Sequence, residues 1–153
     1  MFKGKTKIDW ILHYITDGCN CSECNNGSDT YMSDMQEKHP FFGNCHTHGM
    51  KEHGHTEMVI CLNMGDKAMA HLLNSFGLIL IENNLPKLEH NKKYEGFLKN
   101  GYKIKTYQPE GCPVVFMFMP DKNNKFPGDK GCEFPYCNQK KYADIIIKDK
   151  GYV

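Results

Sequence analysis

Residues 5–16 carry the first clear hydrophobic pattern in the chain. Their large apolar side chains recur at i, i+3, i+4 and i+7, at Ile8, Ile11, Leu12 and Ile15. This spacing places them on one stripe of an α-helix, with polar residues on the opposite side. The pattern therefore predicts an amphipathic helix over residues 5–16.

The next apolar pattern predicts a β-hairpin. Residues 19–40 are polar, rich in Asn, Ser, Asp and Gly, and are typical of a loop. Residues 41–50 are extended in character, and residues 56–64 alternate and include β-branched side chains. The short sequence KEHG at 51–54 separates them. We therefore predict two antiparallel strands joined by a turn.

The second half of the chain predicts a helix and two further strands. After Gly65, residues 66–84 have helical periodicity, with Asp66 as the expected N-cap. The expected buried face consists of Ala68, Leu72, Leu73, Phe76 and Ile79. Residues 101–108 alternate as a strand, and residues 112–119 form an apolar run typical of a strand buried on both faces. Residues 142–149 are expected to form a last strand or helical turn.

These elements predict an α+β fold. We expect a single compact domain over residues 1–153, with a mixed or antiparallel sheet and two or three packed helices.

Composition narrows the classes of function. The chain has no apolar run of about 18 residues and no signal-peptide pattern, which favours a cytoplasmic protein without a membrane partner. Net charge is +1, and all 19 basic residues are Lys. The lack of Arg removes the bidentate donor most used on phosphates and guanine, which argues against specific nucleic-acid recognition.

The spacing of three cysteines in the polar loop is typical of a metal site. Cys19, Cys21 and Cys24 form a C-x-C-x2-C sequence in the polar loop, where packing does not explain three thiols. Thiolates at this spacing can converge on one tetrahedral Zn²⁺. Disulfide bonds, or thiols without a ligand role, are the alternatives.

A histidine cluster adds candidate ligands in the hairpin. On a strand, His46 and His48 share a face and Cys45 points to the other. On the returning side His53, His55 and Glu57 are spaced two apart, so pairing of the strands could gather four imidazoles and a carboxylate. The candidate metal ligands, with Zn²⁺ as the expected ion, are Cys19, Cys21, Cys24, Cys45, His46, His48, His53 and His55. Histidines that cap a turn in water, and a structural His55–Glu57 pair, are the alternative.

The order of these motifs resembles the bacterial family known as domain of unknown function 4262. Its members carry a segment similar to FxYTxGLxExxGHPE, then AxxLLN in a helix, then GY and FPxD. The matching stretches here are Thr47 to Glu57, Ala70 to Asn74, Gly101-Tyr102 and Phe126 to Asp129, within a family-like core of about residues 8–140. His46, His48 and Thr56 depart from the family pattern.

The resemblance implies a compact α+β domain of one mixed sheet with packed helices, and it implies no activity. His55 and Glu57 are the cluster members that the family shares. They are therefore the best candidates for a common role, held together at a surface cleft.

Three hypotheses for function follow. The first is a zinc-binding structural or interaction module, with a protein partner or a second copy of the chain. The second is a metal-dependent, hydrolase-like enzyme, for which the candidate catalytic residues are His55, Glu57 and Glu52. The third is a disulfide-stabilised protein that is exported or packaged into a particle.

Overall fold

The computed structural model describes residues 8–14 and 37–152. Within these ranges the chain includes six β-strands and two longer α-helices, which confirms the predicted α+β class. In chain order they are β1 (Ile11–Tyr14), β2 (Phe42–His48), β3 (Glu57–Leu62), α1 (Asp66–Glu82), β4 (Lys93–Tyr94), β5 (Ile104–Tyr107), β6 (Val114–Phe118) and α2 (Gln139–Lys150).

The six strands form one mixed sheet in the order β1-β2-β3-β6-β5-β4. The predicted hairpin is present, because β2 and β3 are antiparallel, with Cys45 opposite Ile60 and His46 opposite Val59. The other neighbouring strands are also antiparallel except for β3 and β6, which are parallel. This parallel pair lies at the centre of the sheet and is joined through α1, β4 and β5.

The two helices cover opposite faces of the sheet. On one face, the ring of Trp10 lies against Gly77 of α1, and its indole N–H donates to Asn74 Oδ1 at 2.9 Å. On the other face, Cys61 Sγ donates to the carbonyl oxygen of Gln139 at the start of α2. The rings of Phe42 and Tyr142 also meet edge to face on that side.

The central strands are buried on both faces. Every side chain of β3 and β6 is buried. The apolar run at residues 112–119 predicts this for β6, whereas the alternation at residues 56–64 did not predict it for β3. Hydrophobic burial of this kind is the main stabilising term in folding. The sheet centre is therefore a rigid support for the loops at its two ends.

The predicted helix after Gly65 is confirmed, but its cap and its buried face are shifted. Gly65 is the N-cap, and Asp66 is the first helical residue. The buried side is formed by Met69, Leu73, Phe76, Gly77 and Leu80. Ala68 is exposed, while Leu72 and Ile79 are only partly buried. The buried face differs from the predicted one because residues 69, 73, 76 and 80 follow the 3.6-residue helical period as well as the predicted residues do.

The predicted N-terminal helix is wrong where the structure describes it. Ile11–Tyr14 is a strand that pairs with β2, with Ile11 opposite His48. Helical periodicity is a local signal, and here pairing with the hairpin edge outweighs it.

The last predicted element is longer than expected. Residues 139–150 form a helix of three turns, whose buried side includes Tyr142, Ala143, Ile146 and Ile147. A run of three isoleucines favours a strand by propensity, but packing of this segment against the sheet stabilises the helix instead. No helix in the described ranges is long and apolar enough to cross a membrane.

Candidate functional site

Glu57 is held in a cage of hydrogen-bond donors at the end of the hairpin. Its Oε1 accepts from Thr47 Oγ1 at 2.8 Å and from the Met50 N–H at 3.0 Å. Its Oε2 accepts from the N–H groups of Gly49 and Lys51 at 3.1 and 3.2 Å. A carboxylate offers about four lone-pair positions, so these donors fill its accepting capacity. Glu57 is therefore a buried structural residue rather than the surface-cleft residue that the sequence suggested. We call its carboxylate, together with the four groups that donate to it, the brace.

The turn explains how three backbone amides reach one carboxylate. Met50–His53 is a short 3-10 helix, and Gly49 precedes it with φ 123°, a conformation that favours glycine. The first amides of such a turn have no partner within it, and they point back along the axis. Glu57 satisfies them, and Thr47 Oγ1 also accepts from the Met58 N–H at 3.0 Å.

His53 and Glu52, both in this turn, face away from the brace. His53 Nε2 lies 2.6 Å from Asp9 Oδ1, and its ring meets Trp10 edge to face. Glu52 is exposed to solvent. The pairing of His53 with Asp9 links the turn to the segment before β1, and it makes His53 a structural contact in the described part of the chain.

His55 is buried beside the brace but does not contact Glu57 through a hydrogen bond in the described structure. Its Nδ1 is buried and has no hydrogen-bond partner among the described residues. Burial, with smaller contributions from the charges of His53 and Lys87, lowers the pKa of His55 below its ordinary value. Its imidazole is consequently kept neutral, and the predicted His55–Glu57 functional pair is not assembled here.

β2 divides the remaining hairpin candidates between the two faces of the sheet. Cys45 is fully buried opposite Ile60, on the α1 side. His46 lies opposite Val59, on the α2 side, and its Nδ1 is 3.4 Å from Asn44 Oδ1. Alternation along the strand puts His48 on the face of His46. Cys45 is thus separated from both histidines, as the strand geometry predicts.

His46 opens onto a small cavity beside the brace. The cavity has a volume of about 210 Å³ and is lined by His46, Thr47, Lys51, Glu57, Pro113, Val114 and Tyr152. His46 is 7% exposed, so its ring is nearly enclosed. Sequence analysis missed Tyr152 and Lys51 here, and no spacing signal could have found them, because Tyr152 arrives from the far end of the chain after α2.

The strand register puts a fifth histidine position directly opposite β2. On β1, His13 is the Cα partner of His46, and Tyr14 is the partner of Cys45. Residues directly opposite each other in an antiparallel pair are about 4.5–5.5 Å apart. The sequence analysis did not consider His13, because it placed that residue on a helix.

The structure does not gather the predicted metal ligands into one centre within its described ranges. Among those residues, no three His, Cys, Asp or Glu side chains are grouped so that they could hold a metal ion. Cys19, Cys21 and Cys24 lie outside the described residues.

Comparison with models of known protein families, with curated proteins and with solved structures finds no match to this chain. The resemblance to domain of unknown function 4262 therefore stays a prediction.

Proposed function

We propose that the chain is a non-catalytic, zinc-binding structural or interaction module. In this proposal the thiolates of Cys19, Cys21 and Cys24 supply three ligands and the His46 imidazole supplies the fourth. Three sulfurs and one nitrogen form a donor set that tetrahedral structural Zn²⁺ favours. Because such a site has no open position, the metal would stabilise the fold and would not activate water.

The register between β1 and β2 is the observation that supports this assignment. β1 ends at Tyr14, which is paired with Cys45, one residue from His46. Cys19 follows five residues later in the sequence, and five residues span at most about 18 Å. In this proposal the thiolates of the segment after Tyr14 bind the same metal ion as His46.

The other hairpin candidates are less suited to be the fourth ligand. Cys45 is on the opposite face, and His53 is bound to Asp9. His55 is buried and does not line the cavity at His46. His46 is the candidate that lies on the strand next to β1 and has a cavity at its ring.

The hydrogen bonds of Glu57 argue against a metal-dependent hydrolase. A metal-dependent hydrolase needs a general base that can take a proton from water or substrate. Glu57 has its lone pairs occupied, and Glu52 is exposed on the turn, away from the cavity. Glu57 lines the cavity at His46, but its four hydrogen bonds leave no lone pair to accept a proton.

Thiols elsewhere in the chain support a reducing location. Cys61, Cys112, Cys132 and Cys137 are all thiols in the structure, including the C-x4-C pair at 132 and 137. Burial, with smaller effects from Asp121 and Cys137, raises the pKa of Cys132 to about 11, so it is protonated at neutral pH. We accordingly place the module in the cytoplasm, where thiolate zinc sites persist.

An exposed aromatic pair supports the interaction part of the proposal. Phe41 and Phe134 are 40% and 62% exposed, and their rings meet edge to face. Aromatic side chains are enriched where proteins dock. A protein partner, or a second copy of the chain, would cover this pair.

Metal analysis of the purified protein tests the zinc site. We expect about one Zn²⁺ per chain and a lower melting temperature after treatment with a strong chelator, since metal binding is coupled to folding in such sites. Cys24→Ser and His46→Gln should each lower both the zinc content and the melting temperature.

Cys137→Ser is the matched control, because it removes a half-buried thiol outside the proposed site. It should leave the zinc content unchanged. A metal-free protein whose melting temperature is the same with and without chelator would contradict the proposal. Zinc loss in Cys24→Ser but not in His46→Gln would support a zinc site in which His46 is not a ligand.

A further inference from the structure

The crevice at the carboxyl ends of β3 and β6 lies at a topological switch point. These two strands are parallel neighbours. β3 is followed by α1 on one face of the sheet, and β6 leads to α2 on the other. Where the chain leaves adjacent parallel strands toward opposite faces, the loops separate and leave a crevice, which is where ligands bind in open sheets.

A cavity occupies that position. It measures about 430 Å³, within the range of small-molecule sites of roughly 300–1,000 Å³. Met64 follows β3, and Met119 follows β6, so the ends of both strands contribute to its wall. It lies at the opposite end of the parallel pair from His46 and Glu57, and it is independent of the proposed zinc site.

The inner surface of the crevice is apolar and adaptable. Met64, Leu72, Leu98 and Met119 line it, and all are partly or fully buried. Tyr102 and Tyr136 add two aromatic side chains, and Tyr102 is fixed by a hydrogen bond from its hydroxyl to the carbonyl oxygen of Lys122 at 3.0 Å. Thioethers and phenol rings together favour a flat aromatic ligand.

The polar groups of the crevice favour one negative charge on that ligand. Lys99 and Lys122 are exposed at its rim. Asp121 also lines it, but its carboxylate is committed to the backbone N–H groups of Asn123, Lys125 and Glu133. The ammonium groups are therefore the charges that can reorient toward a ligand, although Lys122 also pairs with Glu133 at 3.4 Å.

We propose that this crevice binds a small, flat aromatic molecule that carries one carboxylate or a similar anionic group. The ring lies between the methionine and tyrosine side chains, and the anion faces Lys99 and Lys122. The ligand class follows from an apolar interior with cationic groups at the rim.

Binding of naphthoate, followed by its fluorescence anisotropy, tests the proposal. We expect saturable binding to the 153-residue chain, and weaker binding of the neutral analogue naphthylmethanol. Leu72→Glu should weaken naphthoate binding more than about tenfold, because it puts a like charge inside an apolar site. Leu72→Ser gives the same test with a smaller change, should Leu72→Glu fail to fold.

Two control variants, Leu78→Glu and Lys125→Gln, test whether naphthoate binds in the crevice. Leu78→Glu alters a partly buried leucine of the same helix that lines the neighbouring groove instead, and it should leave binding unchanged. Lys122→Gln should weaken naphthoate binding about threefold, as expected for an exposed charge contact. Lys125→Gln, in the same loop but outside the crevice, should have no effect.

Three results would overturn the proposal. One is naphthoate binding that Leu72→Glu and Leu72→Ser leave unchanged in folded protein. Another is greater sensitivity to Leu78→Glu than to Leu72→Glu. The third is equal affinity for naphthoate and naphthylmethanol, which would show that the crevice does not prefer an anionic ligand. None of these results bears on the zinc content.

Discussion

At the residue scale, one carboxylate organises the end of the hairpin. Glu57 is 5% exposed and joins a side-chain hydroxyl and three backbone amides from the turn before it. Each of those donors would otherwise be left without a partner on the inner side of the turn. A buried polar network of this type is strongly stabilising only while every member is satisfied.

Replacing this carboxylate should therefore cost stability. Glu57→Gln turns an accepting oxygen into a donating NH₂ group that faces backbone N–H donors. We expect a loss of about 2–4 kcal/mol in the free energy of unfolding, measured by urea denaturation. Glu52→Gln, an exposed acid in the same turn, is the control and should change stability little. Similar small effects in both variants would show that the brace carries no stability.

A second residue-scale prediction concerns pH. The native pKa of His55 lies below its ordinary value of 6.5. Above that pH both the native and the unfolded states are neutral at this residue, so it adds no pH dependence. As the pH falls below 6.5, His55 binds a proton in the unfolded state but not in the native state. The free energy of unfolding therefore declines until the pH reaches the native pKa of His55.

Urea denaturation at about pH 7.5 and about pH 5.5 checks this sign. His55→Gln should lose less stability between the two conditions than the unaltered chain does. His71→Gln, at an exposed histidine of α1, should behave like the unaltered chain. An equal loss in all three proteins would exclude His55 as a source of the pH dependence.

At the scale of elements, the N-terminal segment is fixed by contact with α1. The backbone of Gly49 passes close to Trp10, and a Cβ at Gly77 would meet the indole Cζ2 at 2.7 Å. A side chain at position 77 would therefore overlap the ring at its present position. This packing, together with the bond to Asn74, holds the chain in place where it enters β1.

Gly77→Ala should consequently destabilise the protein, although alanine favours a helix by up to about 1 kcal/mol over glycine. We expect a net loss of about 1–3 kcal/mol from overpacking against Trp10. Circular dichroism in a double-mutant cycle with Trp10→Phe measures the coupling. The smaller ring should relieve most of the loss, and an unchanged loss in the Trp10→Phe background would assign it to another contact.

The contrast between β1 and α1 shows what the sequence could predict about elements. Seventeen residues of α1 repeat their period often enough to be recognised, even though the face was placed one position away. β1 has four residues, and the apolar stripe that overlaps it, from Ile8 to Ile15, has helical spacing. Its conformation depends on pairing with β2, which no local pattern contains. The same error hid the position of His13 opposite His46.

The candidate site was predictable only in part for a related reason. Spacing in β2 correctly separates Cys45 from His46. The role of Glu57 depends on the 3-10 turn at Met50–His53, which brings amides toward the carboxylate and turns His53 toward Asp9. Short turns of this kind follow from tertiary contacts, so sequence reasoning could list the chemical groups but not their directions.

At the scale of the whole molecule, the sheet should show a gradient of stability. β3 and β6 are paired on both edges and buried on both faces, whereas β1 and β4 are edge strands. Amide hydrogen exchange should therefore be slowest in β3 and β6 and fastest in β4, because exposed elements open locally at low free energy. Uniform protection across the sheet would contradict this order.

The parallel pair at the centre also has a consequence during synthesis. β3 leaves the ribosome long before β6, since residues 63–113 lie between them. Until β6 arrives, the hairpin presents an apolar strand with an open edge, which is the feature that drives aggregation of nascent chains. A pause in translation over that interval should raise the demand for chaperones, and solubility on expression should fall when synthesis of the second half is slowed.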